Sequence, residues 1–193
     1  GDRDNWNAID PNFIVDEKGN PWLTWGSFWD GIQMIKLDKK TMHVKKGAKP
    51  QTIARRHVVG DASAEPNPTS KFAGTNAIEA PFIMKHGGYY YLFVSWDYCC
   101  RGIKSNYRVA VGRSKKVAGP YLDKEGRDMR NGGGTLILEG DKKEYEAMGH
   151  CAAYSFPDGD FSFCHGYSVP KNGASILVQK KVNWTEDGWL TLE

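Results

Sequence analysis

One phrase is written twice in this chain, and nothing else in it constrains the fold as much. Asn7-Ala8-Ile9-Asp10 returns as Asn76-Ala77-Ile78-Glu79, and the following Phe13-Ile14 returns as Phe82-Ile83, at an offset of 69 residues. A third copy starts near His150, with its segment 161–167 matching 22–27 and 89–95 at an offset of 71 from the second copy. Self-similarity at a fixed period is the mark of a repeat architecture. Each copy reads as short strands parted by turns: 12–16, 22–27, 31–37 and 51–58, then 81–85, 89–95 and 107–113, then 152–156, 161–167 and 174–182. No convincing amphipathic helix occurs. Polar stretches 60–75 and 123–133 read as long loops. Copies of about four strands are the signature of propeller blades, and the spans predict them at about 5–60, 74–122 and 147–193 of a single domain. A closed propeller needs at least four blades, so three leave sheet faces and edges uncovered.

Composition narrows the partners. At 193 residues the chain fits one globular domain, and it has no apolar run long enough to span a membrane. Its net charge of +3 comes from interleaved basic and acidic residues, which gives no support for nucleic acid. Basic pairs such as Arg55-Arg56 and Lys180-Lys181 read as solvated strand faces. An aromatic share of 12%, with 7 Trp beside 22 Gly, favours a turn-rich β fold with surfaces suited to carbohydrate. The 4 cysteines are too few for a disulfide scaffold and lack zinc-site spacing. A bond between the adjacent Cys99 and Cys100 would be strained, and a turn flanked by Phe156 and Phe161 would set Cys164 opposite Ala153 and not Cys151. All four read as free thiols. The chain begins Gly-Asp with no signal-like apolar segment, which reads as a processed or cut boundary.

The repeats place function before any family is named. Inner strands of successive blades converge on a propeller's axis. Asp10, Glu79 and His150 hold the same place in their repeats, so two carboxyls and an imidazole are expected at one mouth of a central funnel. Two facing carboxyls are the equipment for glycoside cleavage: one protonates the leaving oxygen and another activates water. The bland alternative makes Asp10 a turn acid before Pro11 and Glu79 an ordinary strand end.

Several motifs together resemble the arabinanases of glycoside hydrolase family 43. They are Asn7-Ala8-Ile9-Asp10-Pro11, Trp25-Gly26-Ser27-Phe28-Trp29, Ile78-Glu79-Ala80-Pro81, Tyr89 through Ser95 leading into Asp97-Tyr98-Cys99-Cys100-Arg101-Gly102, Gly119-Pro120-Tyr121, and Asp187-Gly188-Trp189. The resemblance covers nearly the whole chain. It implies a five-bladed β-propeller, all-β, of which this chain supplies about three C-terminal blades, acting as an inverting hydrolase of α-1,5-linked L-arabinan or arabino-oligosaccharides. By matching position Glu79 becomes the general acid, and Asp10 the carboxylate that keeps it protonated and oriented. His150 becomes an axial histidine holding a metal, usually calcium, or its water shell. The family's general base is a further Asp near the start of the first blade, and no residue here matches it. An N-terminal fragment or second chain is therefore expected to complete the propeller, and the chain alone is expected to be inactive. The resemblance favours a secreted or periplasmic location and leaves endo against exo cleavage open.

Around this centre, Asn7, Ser27, Ser95 and Arg101 are expected to bind arabinose hydroxyls, with Cys100 lining the pocket. Trp25, Trp29, Trp96 and Tyr98 are candidate sugar platforms, Trp29 foremost; most sheet aromatics simply pack. His165 is expected opposite Ala152, and His43, His57 and His86 are given no role. The runner-up reading is a non-catalytic carbohydrate-binding propeller.

Overall fold

The computed structural model describes residues 5–68, 70 and 72–193; Gly1–Asp4, where the chain's start was read, and Thr69 and Lys71 of the 60–75 loop lie outside the described residues. Twelve strands form three antiparallel four-stranded sheets. The first holds β1 (Asn12–Val15), β2 (Pro21–Trp25), β3 (Ile32–Lys36) and β4 (Gln51–Ala54). The second holds β5 (Ile78–His86), β6 (Tyr89–Trp96), β7 (Arg108–Ser114) and β8 (Thr135–Leu138). The third holds β9 (Tyr145–Phe156), β10 (Gly159–Ser168), β11 (Ala174–Trp184) and β12 (Leu190–Leu192). In each the strands lie in chain order, as in a propeller blade.

β6 explains how the blades cohere. Its sequence Tyr89-Tyr90-Tyr91-Leu92-Phe93-Val94-Ser95-Trp96 is almost wholly apolar, the pattern of a strand covered on both faces. Successive side chains of a strand point to opposite faces. Tyr90, Leu92, Val94 and Trp96 accordingly pack with Ile32, Met34 and Ile53 of the first blade. Tyr91 and Phe93 pack with Met148, Val178 and Trp189 of the third. Blade two is thus buried from both sides. The far face of the third blade lacks such cover: Leu177 of β11, on the opposite face from the packed Val178, is 75% exposed.

Three local expectations need correction. The second blade runs past residue 122, because the 123–133 loop carries a short 3-10 turn, Met129–Asn131, and leads into the outer strand β8. The strand expected over 51–58 stops at Ala54, where Arg55 and Arg56 leave the sheet. They are not a solvated face: Arg55 pairs with Asp30 at 2.7 Å and Arg56 with Asp97 at 2.9 Å, tying loops of two blades together. The third hairpin is also tighter than expected, since Phe156 pairs with Gly159 and not Phe161. Cys164 then falls in a bulge between Phe163 and His165, away from Ala153. Cys151 and Cys164 are free and buried, as expected.

Candidate active site

β1, β5 and β9 each form one edge of their sheets, and β5 packs against both of the others, so these are the inner strands. One residue before or within each takes a left-handed backbone, Asp10 (φ 56°) ahead of β1, Ala80 (φ 52°) within β5 and His150 (φ 57°) within β9, at a spacing of 70 residues. That conformation costs a residue with a side chain about 1–2 kcal/mol, so its recurrence marks one corner built three times. The repeat offset sets Glu79 level with Asp10; the structure sets Ala80 there, with Glu79 one step upstream. β5 absorbs the difference in a bulge between Glu79 and Phe82. Asp10, Ala80 and His150 line a cavity of about 710 Å³ together with Phe13, Phe82 and Tyr154. Glu79 instead is directed at Ser27 and Tyr107.

Both oxygens of Glu79 are held. Ser27 Oγ donates to Oε2 at 2.8 Å and Tyr107 Oη donates to Oε1 at 2.6 Å. Ser27 arrives on the loop after β2, which bridges onto β5 through Ser27 and through the Phe28 N–H to Ile78 carbonyl bond of 2.8 Å. Gly31 lets this loop close, because a Cβ there would stand 2.2 Å from the Ala54 carbonyl oxygen. Asp10 lies within electrostatic reach of Glu79 and His150. Burial pushes its carboxyl above the usual range; the His150 charge opposes this, the Glu79 charge adds to it, and the Ala80 N–H opposes it. The structure therefore gathers Asp10, Glu79 and His150, as the repeats imply.

The residues around them sort differently from expectation. Ser27 is 6% exposed and Ser95 0%, so both face inward. Neither is free to meet a sugar: Ser27 binds Glu79, and Ser95 Oγ accepts the His150 N–H at 2.7 Å. Cys99 and Cys100 are joined in a disulfide, contrary to the free thiols expected. They lie in a loop closed by the Tyr98 N–H on Asn106 Oδ1 and the Asn106 N–H on the Tyr98 carbonyl, with the Cys100 backbone left-handed (φ 65°). The Cys100 N–H donates to Tyr167 Oη at 2.9 Å, and that hydroxyl also contacts Cys100 Sγ at 3.8 Å. Trp96 is core, under the Arg56 guanidinium, and Trp25 packs edge-on to Trp6. Trp29 is half-buried in the loop beside Ser27, Arg101 is exposed over the Tyr98 ring and Asn7 is half-buried; none of the three is among the residues lining the Asp10–His150 cavity. His165 pairs with Gly149, not Ala152, and its ring stacks on His150 at 5.5 Å. Burial and the His150 charge lower its pKa. Sequence reasoning gave Tyr107 no role; the only trace of it there is a tyrosine opening a strand.

For a metal, the donors are sparse. Among the described residues no group of three or more His, Cys, Asp or Glu side chains could hold an ion. Calcium prefers oxygen ligands. His150 therefore fits only as a single protein ligand to an ion otherwise held by water.

Inner strands converging on a cavity walled by Asp10 and His150 make these sheets the blades of a β-propeller. The chain belongs to the glycosyl hydrolases family 43, whose family model matches residues 2–190. It is 42% identical to the extracellular exo-α-(1→5)-L-arabinofuranosidase of Cellvibrio japonicus, covering 97% of this chain and 52% of that protein. The exo-1,5-α-L-arabinanase from a bovine ruminal metagenomic library superposes with a TM-score of 0.87 at 54% identity, over 99% of this chain and 58% of that one. The α-L-arabinanase of Cellvibrio cellulosa in complex with arabinohexaose gives 0.88 at 39% identity, over 100% of this chain and 59% of that one. The chain thus spans about half the length of the curated relative and supplies three blades of a five-bladed propeller.

A carboxyl whose native pKa is raised costs stability wherever it is ionised. Asp10→Asn, which tolerates the left-handed backbone, should therefore raise the thermal unfolding midpoint at pH 7, on a scale of about 2–4 °C per kcal/mol for this size. The gain should shrink as pH falls through the raised native value and vanish below the unfolded value of 3.8. Thermal melts of both proteins from pH 3 to 8 measure it; a lower midpoint for the variant at pH 7 would contradict it.

Proposed function

We propose that this chain, completed by N-terminal blades from a preceding segment or a second polypeptide, is an inverting hydrolase of α-1,5-linked L-arabinan. The observation that carries the reading is Glu79, held at both oxygens beside a second carboxyl. In this reading protonated Glu79 gives its proton to the glycosidic oxygen as the C1–O bond breaks. Asp10 is, in the same reading, the neighbouring carboxyl that orients the acid. Water attacks the opposite face and yields its proton to a base about 6.5–9.5 Å from the acid. That base belongs to the completing blades. The uncovered Leu177 on the far face of the third blade supports their presence, because such faces pack against neighbouring blades. Trp29, Arg101 and Asn7 remain the candidate sugar contacts. The membership of the family and a relative bound to arabinohexaose support the substrate. A relative named extracellular supports a secreted location.

In the completed protein, Glu79→Gln should lower the rate on linear arabinan by about a hundredfold to ten-thousandfold, the contribution of general acid catalysis. Substrates with an activated leaving group, which need no proton, should lose far less. Product anomers followed by NMR should show inversion. Near-normal activity of the variant on arabinan would contradict the assignment. Tight arabinan binding by the unaltered protein with no turnover would instead identify a binding propeller.

Calcium is proposed at His150 as a water-held ion, which would supply positive charge beside Asp10 and Glu79. Calorimetric titration of the chelated protein should show weak, exchangeable calcium binding that His150→Ala abolishes. No binding, together with unchanged activity after exhaustive chelation, would remove the metal.

A further inference from the structure

Glu79 is held through more than its own strand. The Tyr107 phenol donates to Oε1 at 2.6 Å. Ser95 stands beside the phenol and lowers its pKa against the raising effect of burial, and the Ser95 Oγ itself accepts the His150 N–H of the third blade at 2.7 Å. Oε1 therefore faces a donor. At Oε2 the partner is Ser27 Oγ, 2.8 Å away and without another bond among the described residues, so it can donate or accept as needed.

Tyr107 is built in. It is 1% exposed, and burial, with the Glu79 charge adding to it, holds its phenol well above the usual value, so it stays protonated and remains a donor. Its ring lies in the space that a side chain at position 149 would take: a Cβ on Gly149 would fall 2.1 Å from Tyr107 Cδ1. Ala147, Tyr167 and Cys99 close around it, and the Met148 N–H donates to its carbonyl at 3.0 Å. β9 thus gives up a side chain to admit a residue that belongs to the second blade.

We propose that Tyr107 is the positioning residue that confines the acid proton of Glu79 to Oε2 and, through Oε1, takes up the charge left when that proton departs. The proposal rests on Glu79 being the general acid. As the proton passes from Oε2 to the glycosidic oxygen, the C1–O bond breaks with its electron pair on that oxygen. Water adds its hydroxyl to C1 and releases its other proton to the base. Glu79 is left as a carboxylate. The Tyr107 bond then changes from a neutral to a charge-assisted one, roughly twice as strong. It strengthens along the reaction coordinate, which is what makes a contact catalytic in effect.

The test uses the full-length protein carrying this chain. Tyr107→Phe keeps the ring against Gly149 and removes only the hydroxyl. On linear arabinan kcat should fall about 10- to 100-fold with KM changed less than about threefold. On an aryl arabino-oligosaccharide with a good leaving group, which needs no proton, the loss should be under about threefold. Ser95→Ala, which removes the hydroxyl that stands beside the Tyr107 phenol, should reproduce the same split more weakly and serves as the test if Tyr107→Phe does not fold. Equal losses on both substrates would show a merely structural role and overturn the proposal, as would no loss on arabinan. Glu79→Gln assayed alongside separates the two levels. If it keeps arabinan activity, the acid assignment fails and the proposal with it; if it loses activity while Tyr107→Phe does not, only the proposal fails.

Discussion

The burial of the second blade from both sides is the constraint on which the rest depends. A strand with one wet face could serve only one neighbour; β6, apolar at seven of its eight positions, serves two. Packing of the first blade against Leu92 and Val94 fixes the loop that carries Ser27. Packing of the third against Tyr91 and Phe93 fixes the strand that carries Gly149 and His150. Glu79 stands between these seams: Ser27 comes from the first blade, and Tyr107 of the second blade is seated against Gly149 of the third. Its orientation is thus a property of inter-blade packing more than of β5 itself.

How much of this was legible in the sequence follows from where each signal resides. The blades were legible because a repeat writes itself into the chain, and the doubly buried β6 because it loses the alternation of a half-exposed strand. Asp10, Glu79 and His150 were found through the same repeat. The one-residue displacement of Glu79 was not, since a bulge leaves no mark in a residue offset. Ser27 and Ser95 were read as sugar contacts because a serine at a strand end looks alike whether it faces solvent or a buried carboxylate. Tyr107 was missed for a related reason: its meaning lies in Gly149, far away in the chain and visible only once the blades are packed. The adjacent cysteines were misjudged by treating a local turn as a strained exception.

Electrostatically the mouth divides its groups by role. Asp10, with its carboxyl raised by burial, and His150 line the open cavity. Glu79 is anchored by neutral hydroxyls, which fix geometry without adding charge. On the proposed mechanism this separates the group that would move a proton from the groups that set the local field, so either can be tuned without displacing the other.

Central to this view is that the three blades hold the acid half of a glycosidase site while the base lies in the blades that complete it. The most direct measurement is arabinan hydrolysis by purified residues 1–193, assayed alone and again with the completing N-terminal segment, with monomeric state and fold checked in both. No turnover by the chain alone and hydrolysis on addition of the segment is the predicted result. Full activity from folded, monomeric 1–193 would contradict it.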